Sequence, residues 1–421
     1  MISKLKNAFY KEYKTHNRFV KDTSYIIVLR GLEIILGLAA TYFVVRALSK
    51  ESFGEYHFIL SCIGITAIFS LKGLNNSVMQ AIARGFPGTY RKAVKVAFVA
   101  SFVGSFILGV MACWYYFYGS SELAYGFAVA ALLSPFVHGL MQWKSIHMGK
   151  EKFDSYFLYS SLSLLIMYPL IIVAVFFMPG TLLVPLTLVL IIPSILNLWF
   201  TILNYRKIQA NAAIEDGNIA YGIKTTFYTS FYIVSMYIDR LLLFFFLSPV
   251  VLATYVVADR IADLFRNITQ DLSVVLAPKF AKREHYTRKM DRYLKIFVMV
   301  YGAAIVIFAF TILPSLIMFL FGENYINSIP YAQALLCSVA IGNMATIKFR
   351  FIRSKIDATS FRDITVYTSL GRIVMSLVFI PWLGILGAVI SVFLYRILFS
   401  LVVNAVIKKK YPLDGVLIGS Q

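Results

Sequence analysis

Charge is scarce in this 421-residue chain, and what there is leans one way: 14% of residues are charged, 40 basic against 20 acidic. So few charges, with 59% hydrophobic residues and a mean hydropathy of +0.76, exclude a soluble globular domain. Only three cysteines occur, Cys62, Cys113 and Cys337, each inside an apolar run. That spacing excludes a disulfide framework and a cysteine metal site. The five histidines, His16, His57, His138, His147 and His285, are scattered without ligand spacing, so no metal is expected. P-loop, HExxH, GxSxG and dinucleotide motifs are missing as well, which leaves no sign of an enzyme or of a bound cofactor. No polar, Gly/Ser-rich or Pro-rich stretch is long enough for a linker to a separate soluble domain.

What is present is a series of apolar runs of about 20 residues, the length that crosses a bilayer. They lie near 24–45, 57–71, 94–117, 123–143, 157–178, 183–203, 221–247, 250–277, 294–320, 331–352, 365–383 and 386–407. The expectation is an all-α integral membrane protein of about twelve transmembrane helices. Most of the basic residues fall in alternate loops: Lys4 to Lys21, Lys72 to Lys95, Lys144 to Lys152, Arg206 to Lys224, Lys279 to Lys295, Lys348 to Arg362 and Lys408 to Lys410. The opposite loops hold Arg46 and Lys50. This positive-inside bias predicts that both termini are cytoplasmic, and it accounts for the net charge of +20 without nucleic acid as a partner. Met1 to Lys21, basic with Phe9, Tyr10 and Tyr13, reads as a cytoplasmic or interfacial segment before a permanent anchor helix.

The chain also echoes itself. Leu48-Ser49 followed by Tyr56 recurs as Leu247-Ser248 followed by Tyr255, and Tyr118-Gly119 with Ala131-Leu132-Leu133 recurs as Phe321-Gly322 with Ala334-Leu335-Leu336. Two six-helix halves follow, with the same orientation in the membrane. The expected organisation is an N-terminal segment 1–23, an N-lobe 24–210, a C-lobe 211–407 and a C-tail 408–421.

Six arginines sit within the apolar runs: Arg30, Arg240, Arg260, Arg266, Arg372 and Arg396. An arginine facing lipid at mid-membrane costs roughly 2.5–3.5 kcal/mol, so these side chains must face a polar interior. In the eighth run Asp259, Asp263, Arg266 and Gln270 recur at helical spacing, and Arg260, Asn267 and Asp271 widen the stripe. Two readings stay open for it: a cavity wall, or an ion ladder of Asp259, Arg260, Asp263 and Arg266 that joins two helices. Arg30 and Glu33 stand three residues apart and can pair on one helical face. Asp239-Arg240 lies near the outer end of the seventh run, and Arg396 stands mid-run with no acid nearby in sequence. Arg372, placed a turn or two from the cytoplasmic end, is expected to snorkel to the interface. Arginine suits phosphate or diphosphate because its planar fork makes bidentate bonds. Arg30, Arg240, Arg260, Arg266 and Arg396 are therefore the candidate ligands of an anionic substrate. Glu33, Asp239, Asp259 and Asp263 are candidates for charge balance or for binding a coupling cation, H+ or Na+.

The stretch Arg46-Ala-Leu-Ser-Lys-Glu-Ser-Phe-Gly-Glu-Tyr56, and Ala253-Thr-Tyr-Val-Val-Ala-Asp-Arg-Ile261 running to Val275-Leu-Ala-Pro-Lys279, resemble polysaccharide exporters of the multidrug/oligosaccharidyl-lipid/polysaccharide (MOP) superfamily, in particular Wzx-type O-antigen flippases. The resemblance implies a V-shaped pair of lobes, as in MATE-like transporters. It also implies flipping of a polyprenyl-diphosphate-linked oligosaccharide across a bacterial inner membrane, with a polysaccharide polymerase and a chain-length regulator as partners. Rival readings are a multidrug exporter of the same superfamily, a lipid II or teichoic-acid precursor flippase, and an integral-membrane polymerase or glycosyltransferase. The last usually needs a large soluble loop or catalytic domain.

Overall fold

A computed structural model describes residues 2–209, 211–281, 286–355 and 357–411, with 2–20, 23, 272, 274–279, 281 and 358 as backbone only. The basic side chains Lys4 to Arg18, Lys279, Lys282, Arg283, His285 and the tail 412–421 lie outside the described residues. The chain is helical throughout its described length: α1 (Ile2–Ala47), α2 (Lys50–Thr66), α3 (Gly73–Ala83), α4 (Gly88–Phe117), α5 (Ser121–Gly139), α6 (Trp143–Gly149), α7 (Phe153–Phe177), α8 (Leu183–Arg206), α9 (Asn218–Phe246), α10 (Pro249–Ala281), α11 (Arg288–Thr311), α12 (Leu313–Phe321), α13 (Ile329–Ser354), α14 (Ala358–Leu383) and α15 (Ile385–Lys410). Helix is the expected state, because within a bilayer every backbone N–H and C=O must be satisfied inside its own segment.

Among the described residues, eleven helical segments are long and apolar enough to cross a membrane. The 33-residue α10 is long enough too but carries too many charges to count among them, because the polar stripe predicted from residues 259–271 runs along it. Prolines inside α5, α7, α8 and α14 (Pro135, Pro169, Pro193, Pro381) are tolerated, as is usual in membrane helices whose neighbours re-satisfy the freed carbonyls. Helix ends carry explicit signals. Asp357 Oδ1 accepts from Ser360 N (3.0 Å) to cap α14, and Thr287 Oγ1 accepts from Met290 N (3.3 Å) to cap α11. Between α14 and α15 the chain reverses at Gly384, whose φ of +59° favours glycine, and Gly387 lets α15 approach closely: a Cβ there would lie 2.1 Å from Phe379 O.

The helices form two compact units, one of 1–47 and 66–226 and one of 48–65 and 227–421. The units are thus drawn differently from the halves expected from sequence: α2, counted within 24–210, groups with the C-terminal helices, while 211–226 groups with the N-terminal ones. The sequence reading left the short helices α3 and α6 in the stretches between spans and ran 294–320 through the break between α11 and α12. In the first unit α4 packs against α5, α1 against α7, and α8 against α5 and α7. Its interior is closed by neutral polar contacts, such as Trp143 Nε1 donating to Asn197 Oδ1 (2.9 Å) and Thr201 Oγ1 to Leu140 O (2.9 Å). In the second unit α13 packs against α10, α11 and α15, and α14 against α15.

Candidate functional site

Burial of charge defines the site. Among the described residues, every buried Asp, Lys or Arg belongs to the second unit: Asp239, Asp259, Arg266, Asp291, Lys348, Arg372 and Arg396. Asp291, Lys348 and Lys295 form a separate group: Lys348 Nζ is 3.3 Å from Asp291 Oδ1, and Tyr286 Oη donates to that carboxylate (2.9 Å). The others converge from α9, α10, α14 and α15.

Two linked knots hold all of them but Arg396. In the first, Asp239 of α9 is enclosed by Arg372 Nη2 (2.6 Å), Ser376 Oγ (2.5 Å) and Tyr255 Oη (3.2 Å), with side-chain exposures of 1% for Asp239 and 4% for Arg372. Arg372 and Ser376 are one helical turn apart on α14, so both donors reach the same carboxylate. In the second, Arg266 of α10 bonds Asp259 Oδ1 (2.9 Å) and Asp263 on its own helix, while Arg240 of α9 donates to Asp259 Oδ2 (3.0 Å) and lies 3.8 Å from Asp263 Oδ2. The stripe of α10 is therefore an ion ladder in part, but one closed from a second helix by Arg240 and not by Arg260.

Three carboxylates thus pair with three arginines, Arg240, Arg266 and Arg372, and two arginines remain. Arg396 of α15 is buried, its Nε has no hydrogen-bond partner, and it has no ion pair among the described residues. Its electrostatic neighbours are Arg266, Arg372, Tyr395 and Tyr232, and its guanidinium carbon stands 5.8 Å from the Tyr395 ring centre. Gly342 of α13 makes room for it, since a Cβ there would meet Arg396 Cδ at 2.7 Å. Beside Gly342, Asn343 Oδ1 accepts from Thr269 (2.9 Å) while its Nδ2 is buried without a partner among the described residues. Arg260, half-buried, lies in the field of Asp263 and of His57 on α2 but forms no ion pair among the described residues.

Of the residues singled out from sequence, Arg240, Asp259, Asp263 and Arg266 come together directly, Asp239 joins through Arg372, and Arg396 and Arg260 border the group. Arg30 and Glu33 lie in the first unit, where Arg30 Nη1 donates to Glu33 Oε2 (2.6 Å), with side chains 36% and 44% exposed. Glu33 also lies in the electrostatic range of Lys144 on α6. The expectation for Arg372 is corrected: it does not snorkel, because Asp239 binds it in the interior. Tyr255, Ser376 and Asn343 were missed. The four-residue spacings Tyr255 to Asp259 and Arg372 to Ser376 are the sequence signals that point to the first two.

The family model described as "Polysaccharide biosynthesis protein" matches residues 43–330. No curated protein matches. Among solved structures, the lipid II flippase MurJ in its inward closed conformation is similar with a TM-score of 0.67 at 13% identity, over 91% of this chain and 87% of that one. An outward-facing multidrug resistance MATE transporter of the MOP superfamily is similar with a TM-score of 0.63 at 16% identity, over 94% and 95%. A MOP-superfamily transporter from Pyrococcus furiosus with a binding pocket of reverse polarity gives 0.63 at 15%, over 93% and 95%. With a family match over more than half its length, the chain belongs to the polysaccharide biosynthesis protein family, as a multi-pass membrane protein whose fold is that of these solved structures.

Proposed function

We propose that the protein flips a polyprenyl-diphosphate-linked oligosaccharide, an O-antigen or similar repeat unit, from the cytoplasmic to the outer leaflet of a bacterial inner membrane. The observation that carries this reading is the arginine excess: among the described residues five arginines meet three carboxylates in the interior of the second unit, and Arg396 is buried with no counter-ion among them. A buried cation is costly unless something anionic neutralises it. A diphosphate offers two charges for the two arginines that have no ion pair among the described residues, Arg396 and Arg260. Alternating access would carry the headgroup across, with both termini cytoplasmic as the basic loops suggest.

Coupling to H+ or Na+ fits Asp263 best among the acids. Asp239 is filled by three donors and Asp259 by two arginines, whereas the Asp263 side chain keeps 26% exposure. Arg30 and Glu33, being partly exposed, suit a role in first contact with the headgroup. A polymerase and a chain-length regulator are the natural protein partners. The fold likeness to a lipid II flippase favours one rival, a cell-wall precursor with the same diphosphate. A cationic drug is disfavoured by the charge excess.

The test is flipping in proteoliposomes loaded with a polyprenyl-diphosphate oligosaccharide, read by its accessibility to an external glycosidase. Arg396→Ala should abolish protein-dependent exposure, and Arg396→Lys should retain part of it. Exposure at the wild-type rate in Arg396→Ala overturns the reading, and lipid II in place of the oligosaccharide separates the cell-wall rival.

A further inference from the structure

The basic end of the first unit holds a polar pocket that the transport reading does not use. α6 ends at Gly149, Glu151 takes a φ of +54°, and Lys152 N donates back to His147 O (2.8 Å) before α7 begins at Phe153. This tight reversal brings Lys150 and Lys152 beside Lys207, just past the end of α8. With His147, Ser155 and Asn204 they line a pocket of about 90 Å3.

Two independent features point to an anion there. The pocket lies at the N-terminus of the 25-residue α7, where the helix dipole favours negative charge, with Lys152 N and Ser155 N already bonded to His147 O and Asp154 Oδ1. Separately, His147 is only 6% exposed and neither ring nitrogen has a hydrogen-bond partner among the described residues, although Trp143 and Tyr159 fix the ring edge-on at 6.0 and 5.1 Å. The three lysines are exposed and have no ion pair among the described residues. Of the carboxylates close by, Glu151 and Asp154 both face solvent, and Asp154 Oδ1 accepts from Ser155 N (2.7 Å). At roughly 30 Å3 per liquid water, the space equals about three waters. That admits one tetrahedral phosphate group.

We propose that this pocket binds a single phosphate group, whether free or on the headgroup of an anionic lipid. Lys150, Lys152 and Lys207 supply charge, while Ser155, Asn204 and His147 supply directed polar contacts to the oxygens. The exposed lysines make the affinity salt-dependent. The site stands independently of the flipping reading, and its test uses no sugar lipid, so either can fail alone.

Two probes distinguish the sources: calorimetric titration of the full detergent-solubilised chain with inorganic phosphate, and native mass spectrometry of phosphatidic acid retained from phosphatidylcholine nanodiscs doped with it. The joint variant Lys150→Ala, Lys152→Ala, Lys207→Ala changes exposed side chains only and should fold. It should weaken binding at least about tenfold, since charge-assisted bonds are the strong ones, and the matching arginine variant should restore it. Saturable phosphate binding lost in the alanine variant supports a site for free phosphate. Selective phosphatidic acid retention lost in that variant, without inorganic phosphate binding, supports a lipid headgroup site. Equal binding by wild type and alanine variant, or no binding of either probe, overturns the proposal.

Discussion

The two compact units solve the same problem, burying polar groups in a membrane protein, by opposite means. The first keeps its buried polar residues neutral, many of them tied by bonds such as Asn197 Nδ2 to Val137 O (2.9 Å), and leaves its Arg30–Glu33 pair partly exposed. The second buries ionised side chains and, Arg396 aside, holds them by pairing, as with Asp239 and Arg372. Neutral contacts can be lost one at a time at modest cost. A buried ion pair fails as a unit, because either partner alone is an uncompensated charge. Asp239→Ala therefore gives the largest expected loss, about 3–5 kcal/mol, read as a fall in thermal unfolding temperature in detergent. Adding Arg372→Met to it should recover much of that loss, since an apolar pair of similar volume often replaces a buried ion pair without penalty. If the double variant is as unstable as the single one, the pair is not what holds α9 to α14.

The neutral unit offers the milder counterpart. Asn197→Ala strands Trp143 Nε1 and the Val137 carbonyl, which costs about 1–2 kcal/mol by the same unfolding measurement. A loss as large as that of Asp239→Ala would erase the distinction between the two interiors.

Arg396 sharpens the comparison in the other direction. It is buried beside Arg266 and Arg372 with no carboxylate partner among the described residues, so it opposes folding, where Arg372 supports it. Arg396→Ala should unfold at or above the wild-type temperature even as export is lost. A clear fall in unfolding temperature would mean that Arg396 packs structurally against Gly342 and Tyr395.

Hydropathy and loop charge made the helical membrane fold legible, because each span must satisfy its own backbone and so declares itself in a run of some 20 residues. The polar face of α10 was legible for the same reason: helical periodicity stacks Asp259, Asp263 and Arg266. Pairing across helices was not. Nothing within α14 reveals that Asp239, far away in sequence, meets Arg372, and taking that span from 365 when the helix starts at Ala358 put Arg372 too near an end. The grouping of α2 with the C-terminal helices was equally hidden, since it depends on contacts such as Gly54 against Pro249, where a Cβ would lie 1.9 Å from the Pro249 carbonyl oxygen. Hydropathy carries no trace of which helix a given span will touch.

The smallest effect belongs to the charge pair that the first unit keeps at its surface. Arg84 Nε and Nη2 donate to Glu215 Oε1 (2.8 Å) and Oε2 (2.7 Å), outside the spans, and Asn218 Nδ2 adds a bond of 2.9 Å. The Arg84 hydrogen bond is the main cause that holds the Glu215 carboxyl below its ordinary value of 4.5. A folded-state value depressed in this way adds stability above the unfolded value, and that stability is lost as pH falls through the folded one. Wild-type unfolding temperature should thus drop slightly as pH goes from about 5 downward, while Glu215→Gln, with no carboxylate to protonate, should lose that part of the slope. Exposure and salt screening keep the difference small, so it should shrink further in high salt. A large or salt-insensitive difference would place this pair with the buried ones, and the contrast between the units would then rest on depth alone and not on how each interior handles charge.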